Sequence, residues 1–273
     1  MTLNVFRQQA AGIDLSIAEP IDADASTQTL FCMHGIGGND ESFTPQLIEL
    51  SDHCRVIAWN MPGYGQSVPM DKLSFSALSE TLNRALKELA IDQPILIGHS
   101  IGGMIAQEYV HQFPEQAKAL ILIATTSAFG GSDDKFKNEF LSARMKPLDE
   151  GASMASMAGD AVPKIVGENT DPTIIKAAVD SMSRVNPDVY KEVLRCLVKF
   201  NRREEWQSVN CPVCLIAGEE DTNAPARTMQ KMSDNLSNAE YHVIAGAGHL
   251  VNLEQGDKTN AIINQFIQRL DTQ

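Results

Sequence analysis

Six short apolar runs punctuate the chain: Leu30 to Met33, Arg55 to Trp59, Pro94 to Gly98, Leu120 to Ala124, Val213 to Ala217 and Tyr241 to Ala245. They are continuous rather than alternating, which predicts strands covered on both faces, as in a parallel sheet. Helical patterns lie between them. In Phe75 to Leu89, the residues Phe75, Leu78, Leu82, Leu86 and Leu89 recur at steps of three or four and build one apolar face. Strand and helix alternate, so the predicted class is α/β.

The alternation stops after Ala124 and resumes at Cys211. Residues 127–209 contain no strand-like run, carry Gly130-Gly131, and are helical in pattern around Lys135 to Met145, Ile174 to Val185 and Tyr190 to Phe200. This predicts a helical insertion, 127–209, in a core made of 1–126 and 210–273. Met145, Met154, Met157 and Met182 fall in the insertion, where methionine fills a core or lines an adaptable apolar pocket.

Gly98-His99-Ser100-Ile101-Gly102 follows one predicted strand and precedes a helical run, Met104 to Phe113. G-x-S-x-G in that setting is a turn that lifts a serine hydroxyl above the sheet, with glycine where strand and helix backbones crowd. A serine hydroxyl attacks only with a general base in reach, and the base needs an orienting carboxylate. His249, in Gly246-Ala247-Gly248-His249 after the last predicted strand, is the candidate base. Asp221, after the strand at 213–217, is the candidate carboxylate, with Glu219 and Glu220 read as solvated or turn-shaping. His99 is expected to point away from the reacting group; His53, His111 and His242 read as solvated or packed. All three chosen residues lie beyond the carboxyl ends of predicted parallel strands, where open α/β sheets bind ligands. Oxyanion donors are expected from the backbone N–H of Ile101 and, in the loop His34 to Gly38, from that of Ile36. The glycines of that loop lack the lysine or the spacing of a phosphate-binding loop.

Charge narrows the partners. The chain has 22 Lys and Arg against 35 Asp and Glu, a formal net of −13, which disfavours nucleic acid. No apolar stretch approaches the length of a membrane span, and Met1 to Ala11 does not read as a signal peptide, so a cytoplasmic protein is expected. The five cysteines read as reduced and buried, and Cys211-Pro212-Val213-Cys214 opens a strand rather than the helix of a redox motif. Trp59 and Trp206 adjoin predicted strands and read as core. Residues 128–209 hold 12 of the 22 basic but only 13 of the 35 acidic residues, so the insertion is nearly neutral over an acidic body. That bias, with Arg144 as the candidate contact, suits a substrate bearing a carboxylate.

Taken with Met61-Pro62-Gly63-Tyr64-Gly65-Gln66-Ser67 after the second of the predicted strands and with Glu254 beyond His249, these motifs resemble the α/β-hydrolase superfamily over nearly the whole chain, in the chain order Ser, Asp, His. Ser100 excludes the members that place Asp at this point, the haloalkane dehalogenases and epoxide hydrolases. Through Ser127-Ala128-Phe129 and 144–151 the chain is similar to 3-oxoadipate enol-lactone hydrolases, although Asn60 and Pro62 stand where those enzymes usually carry Asp and Arg. The resemblance implies an eight-stranded, mostly parallel sheet with helices on both faces and a helical cap inserted after the sixth strand. It implies hydrolysis of a small ester or lactone through an acyl-enzyme, with no cofactor, no metal ion and no membrane partner; a homodimer is compatible with it. Two other readings stay open: a carbon–carbon bond hydrolase of meta-cleavage products, and a non-catalytic ligand receptor on the same fold.

Overall fold

The computed structural model describes residues 4–130 and 134–270. Gly131 of the Gly-Gly pair, the first three residues of the Met1 to Ala11 segment and the last three of the chain lie outside the described residues. The strands are β1 (Asn4–Ala10), β2 (Ile13–Glu19), β3 (Thr29–Met33), β4 (Arg55–Trp59), β5 (Ile95–His99), β6 (Ala119–Ile123), β7 (Val213–Gly218) and β8 (Ala239–Ile244). The helices are α1 (Thr44–Glu49), α2 (Phe75–Glu88), α3 (Ile101–Gln112), α4 (Asp134–Asp149), α5 (Met154–Ala161), α6 (Pro172–Ser183), α7 (Pro187–Leu197), α8 (Ala226–Asp234), α9 (Val251–Glu254) and α10 (Gly256–Leu270). One eight-stranded sheet runs β1-β2-β4-β3-β5-β6-β7-β8, antiparallel between β1, β2 and β4 and parallel from there to β8.

The six apolar runs are β3 to β8. The central strands β3, β5, β6 and β7 are buried at every position, as strands covered on both faces must be. Alternate residues feed two cores. Phe31, Met33, Leu96, Leu120 and Leu215 face α2, α3 and the inserted helices, while Leu30, Cys32, Ile95, Ile121 and Cys214 face α1, α9 and α10. α2 buries Phe75, Leu78, Leu82 and Leu86 on one face, and the Ser74 hydroxyl caps its start by accepting from the Ala77 N–H at 3.1 Å.

Two strands had no continuous apolar run. β2 alternates, with Ile13, Leu15 and Ile17 on one face and Asp14 and Ser16 on the other, yet all five are buried. The polar face is closed by ion pairs. Asp14 and Asp40 each take a guanidinium N–H of Arg7 at 2.8 Å, and Ser16 donates to Asp40. The β1–β2 turn is Ala11-Gly12, both at positive φ (50° and 78°), the pairing that suits a two-residue hairpin.

α4 to α7 lie between β6 and β7. α5 went unpredicted although Met154, Met157, Ala158 and Ala161 fall at helical spacing, because the stripe is only two turns long and half of it is alanine. The segments entering and leaving this region pair with each other, with Phe129 N–H donating to Phe200 at 3.0 Å and Arg202 N–H to Ser127 at 2.8 Å. Inserted residues such as Met154, Val162, Met182 and Leu194 share one continuous core with the sheet face beneath them. Met182 and Met154 are buried in it, and Met145 and Met157 pack at its margin. Trp59 and Trp206 are also core, and the Trp206 indole donates to the Met232 carbonyl at 2.8 Å.

Candidate active site

Ser100 sits between β5 and α3 at φ 53°, ψ −118°, a left-handed conformation costly for any residue with a Cβ. The neighbours hold it there. Ser100 N–H donates to the Ile123 carbonyl at 2.9 Å, and the Ser100 carbonyl accepts from Thr125 Oγ1 at 2.7 Å and Gly103 N–H at 3.0 Å. The flanking glycines are obligatory by contact: a Cβ on Gly98 would strike the Gly102–Gly103 peptide, and one on Gly102 would strike the Met33 carbonyl.

His249 and Asp221 come to this serine from the ends of β8 and β7. His249 Nε2 lies 3.1 Å from Ser100 Oγ, and its Nδ1 lies 2.8 Å from Asp221 Oδ2. An ionised carboxylate only accepts, so Nδ1 carries the proton and Nε2 offers its lone pair to the serine hydroxyl. Asp221 is 5% exposed, and burial alone would raise its pKa. The bond from His249 and those from Ala224 N–H (3.1 Å) and Asn223 N–H (2.7 Å) outweigh that and hold it below the usual carboxylate value. Glu219 and Glu220 shape the loop, Glu219 accepting Gly246 N–H at 3.1 Å and Glu220 accepting Glu168 N–H at 2.7 Å.

The loop after β3 lies against the serine. Met61 N–H donates to His34 Nε2 at 3.0 Å, so the ring proton is on Nδ1, which donates to the Gly35 carbonyl at 2.7 Å. Gly38 N–H reaches the same carbonyl at 2.9 Å. In a trans peptide the N–H points away from the C=O, so pinning the Gly35 carbonyl also fixes the direction of the Ile36 N–H. Tyr64 donates to the Ile36 carbonyl at 2.8 Å and fixes the next peptide. Ile101 opens α3, so its N–H is among the amides a helix leaves without an internal acceptor. Burial keeps His34 neutral, with its pKa pushed down to about 4.

His99 does point away from the reacting group, as expected, but it is not idle. Its Nε2–H donates to the His249 carbonyl at 2.8 Å, and burial, then the neighbouring His249, push its pKa down to about 3. His53 and His111 are exposed, and His242 is half-buried beside Glu240. The loop after β4 is tied to the β1–β2 hairpin. Asn60 Nδ2 donates to Asp14 Oδ2 at 2.9 Å, its Oδ1 accepts Asp40 N–H at 3.2 Å, and Ser67 Oγ accepts from Asp14 N–H at 2.8 Å. Asn suits position 60 because an aspartate there would set a second carboxylate on Asp14. None of these roles is marked in the sequence by a motif, since each is a contact between distant segments.

Residues 30–262 match the model of the alpha/beta hydrolase family. The chain belongs to that family. Among its relatives, the poly(3-hydroxyalkanoate) depolymerase of Ectopseudomonas oleovorans is 27% identical over 88% of this chain and 84% of that protein. Two solved structures superpose with TM-scores of 0.85. One is a thermophilic esterase from Thermogutta terrifontis in a malate-bound form, 19% identical over 98% of this chain and 99% of that one. The other is the enol-lactonase of Burkholderia xenovorans, 17% identical over 96% of this chain and 100% of that one.

In this alpha/beta hydrolase, α6 and α7 lean over the loops beside Ser100. Met182 packs on Gly37, Val189 packs on Gly63, and Ser181 Oγ donates to the Gly37 carbonyl at 3.3 Å. Arg144, on α4, is half-buried with its guanidinium 3.7 Å from the centre of the Phe140 ring, and among the described residues it has no carboxylate partner. Away from the serine, Cys214, Glu240 and His242 bring three potential metal-ligand atoms within 4.8 Å of one another. Arg269 already holds both Glu240 oxygens at 2.7 and 2.6 Å, and burial pushes the Cys214 thiol well above its usual range, so this cluster reads as an ion-pair network. All five cysteines are free, and Cys211-Pro212-Val213-Cys214 leads into β7, not a helix. Among the described residues no helix is long and apolar enough to cross a membrane.

Proposed function

We propose that this alpha/beta hydrolase is a serine hydrolase that cleaves a small ester or lactone through an acyl-enzyme on Ser100. The observation that carries the reading is the line Ser100 Oγ, His249 Nε2 at 3.1 Å, His249 Nδ1 and Asp221 Oδ2 at 2.8 Å, set on a strained serine beside Ile36 and Ile101. His249 takes the hydroxyl proton as Ser100 Oγ bonds to the substrate carbonyl carbon, and the N–H groups of Ile36 and Ile101 receive the oxyanion. The imidazolium, steadied by Asp221, then gives that proton to the departing oxygen as the acyl–oxygen bond breaks. In a lactone that oxygen stays attached to the acyl chain. Water, deprotonated by His249, releases the acid and restores the serine. The sequence of steps needs no cofactor or metal ion.

We read residues 127–209 as a cap over a core of 1–126 and 210–273, with a small molecule as substrate and the cytoplasm as location. The preferred substrate carries a carboxylate, bound by Arg144. Burial without an anionic partner lowers the Arg144 pKa, and an incoming carboxylate relieves that cost. Arg144 interacts electrostatically with Tyr190, and Tyr190 with Tyr64, whose hydroxyl donates to the Ile36 carbonyl. Labelling with a fluorophosphonate probe tests the nucleophile: the native chain is modified at Ser100 and Ser100→Ala is not. Paired carboxylated and neutral esters of one acyl group test the substrate class. At low salt Arg144→Ala raises KM for the carboxylated ester by about tenfold or more and leaves the neutral ester unchanged; equal kcat/KM for the two esters in the native enzyme refutes it.

A further inference from the structure

His249 lies on an irregular stretch between β8 and α9, so no ladder or helix fixes its backbone. Besides the bonds at its own N–H and carbonyl, those that hold its neighbours converge on Glu254, five residues on. Glu254 Oε2 accepts Gly248 N–H at 2.9 Å, Gly167 N–H at 2.7 Å and Thr170 Oγ1–H at 2.7 Å, and Oε1 accepts Leu250 N–H at 2.9 Å. Two of these donors flank His249. The other two belong to the segment between α5 and α6, in the middle of the inserted helices. His249's own N–H donates to the Ile165 carbonyl of that segment at 2.6 Å.

The two backbones touch with nothing between them. A Cβ on Gly248 would strike Val166 and the Gly167 amide, and one on Gly167 would strike the Gly246 carbonyl. Glu220, the neighbour of Asp221, accepts Glu168 N–H. Residues 165–170 thus bond to both of the loops that carry Asp221 and His249. A carboxylate accepting from several N–H and O–H groups makes short, charge-assisted bonds, here spread over both segments.

We propose that Glu254 is a positioning residue for His249, clasping segment 165–170 of the inserted helices to the base-bearing loop so that the two keep one geometry. The proposal rests on the serine-hydrolase reading for its kinetic consequences and on the bonding pattern alone for its structural ones. The imidazole must satisfy two hydrogen bonds at 3.1 and 2.8 Å at once, so a small drift of residues 248–250 breaks one of them.

Glu254→Ala, Glu254→Gln and Thr170→Val are compared with the native chain for kcat and KM on an aryl ester, for the rate of fluorophosphonate labelling, and for hydrogen exchange at the Gly167, Gly248 and Leu250 amides. Glu254→Ala is expected to lose about a hundredfold in kcat, the cost of a misplacement near 1 Å, with KM within about twofold. Exchange at the three amides rises together. Thr170→Val, which removes the hydroxyl lying 2.7 Å from Glu254 Oε2 and 2.8 Å from the Gly167 carbonyl, is expected to lose about fivefold in kcat and to loosen Gly167 and Gly248 in step. A folded Glu254→Ala or Glu254→Gln with kcat within about threefold of native, a loss confined to KM, or exchange that rises at Gly248 and Leu250 but not at Gly167 overturns the proposal. If the native chain takes no label at Ser100, the hydrolase reading fails, and the clasp is then judged by the exchange pattern alone.

Discussion

Replacing His99 by glutamine separates its two roles, because the amide still offers an N–H to the His249 carbonyl but does not titrate. In the native chain His99 is 4% exposed, and its pKa of about 3 lies far below the ~6.5 of an unfolded histidine. The folded value is depressed, so stability is complete above pH ~6.5 and is lost as the pH falls, because the unfolded chain takes up a proton that the folded chain refuses. Between pH 7.5 and 5.0 the unfolded imidazole moves about 1.5 units below its pKa while the folded one stays neutral, a loss of about 2 kcal/mol at 1.36 kcal/mol per unit. His34, with a pKa near 4 and no exposed surface, contributes a similar loss over the same window. Urea unfolding of native and His99→Gln protein at the two pH values, followed by the fluorescence of the buried Trp59 and Trp206, measures the difference. Native protein should lose about 2 kcal/mol more than the variant over that window. The same acid sensitivity in both refutes the argument, and so does a variant that is unstable at pH 7.5 through failing to replace the bond to His249.

Two further substitutions address the site directly. Asp221→Asn keeps the acceptors for Asn223 and Ala224 but turns an amide toward His249 Nδ1, favouring the tautomer with its proton on Nε2. A fall of about 10⁴ in kcat is expected, with the fold retained by circular dichroism, as for the corresponding change in a serine protease. Gly102→Ala drives a Cβ into the Met33 carbonyl oxygen at the foot of α3 and should cost about 1–3 kcal/mol of unfolding free energy by denaturant titration, since backbone on both sides has nowhere to yield.

The parts of this structure that could be read along the chain are those whose cause is local. β3 to β7 announce themselves because a strand buried on both faces must be apolar at successive positions, and the Ser100 turn does so because crowded backbone at Gly98 and Gly102 leaves one residue type; β8, at the sheet edge, is mostly half-buried and exposes Val243, contrary to the expectation of cover on both faces. β2 was hidden because its inward polar side chains, Asp14 and Ser16, are made tolerable by Arg7 and Asp40, one of them some 33 residues from Arg7 in sequence. Its Ile13, Leu15, Ile17 alternation was a usable signal. The rings of His34 and His99 could not be assigned in advance: their tautomers follow from the Met61 N–H and the His249 carbonyl, which only the fold brings to them. Asp221 could be chosen over its acidic neighbours by position alone, and the structure gives those neighbours the loop-tying work that the sequence left open.

The inserted helices are not attached evenly, and the difference bears on how selection and catalysis divide between them. Segment 165–170 is bonded to Glu254 and Glu220 and to the His249 backbone, while α6 reaches the loop after β3 through Met182 and Ser181 and, at its end, Arg184 pairs with Glu41. α4 buries none of its residues fully, and it is held by the contacts of Phe136 and Phe140 with Phe129, by Leu141, Met145 and Leu148 at the margin of the core, and by the pair Lys191–Asp149 at 3.1 Å. Surface pairs of that kind contribute little, so its attachment is mainly these half-buried apolar contacts. On the proposed reading, the helix that carries Arg144 is therefore the one whose displacement costs least, whereas the half that touches His249 is the one whose displacement would disable it. A substrate can then be admitted and its carboxylate met at α4 without disturbing the base, an arrangement in which a change at Arg144 is felt in KM and a change at Glu254 in kcat.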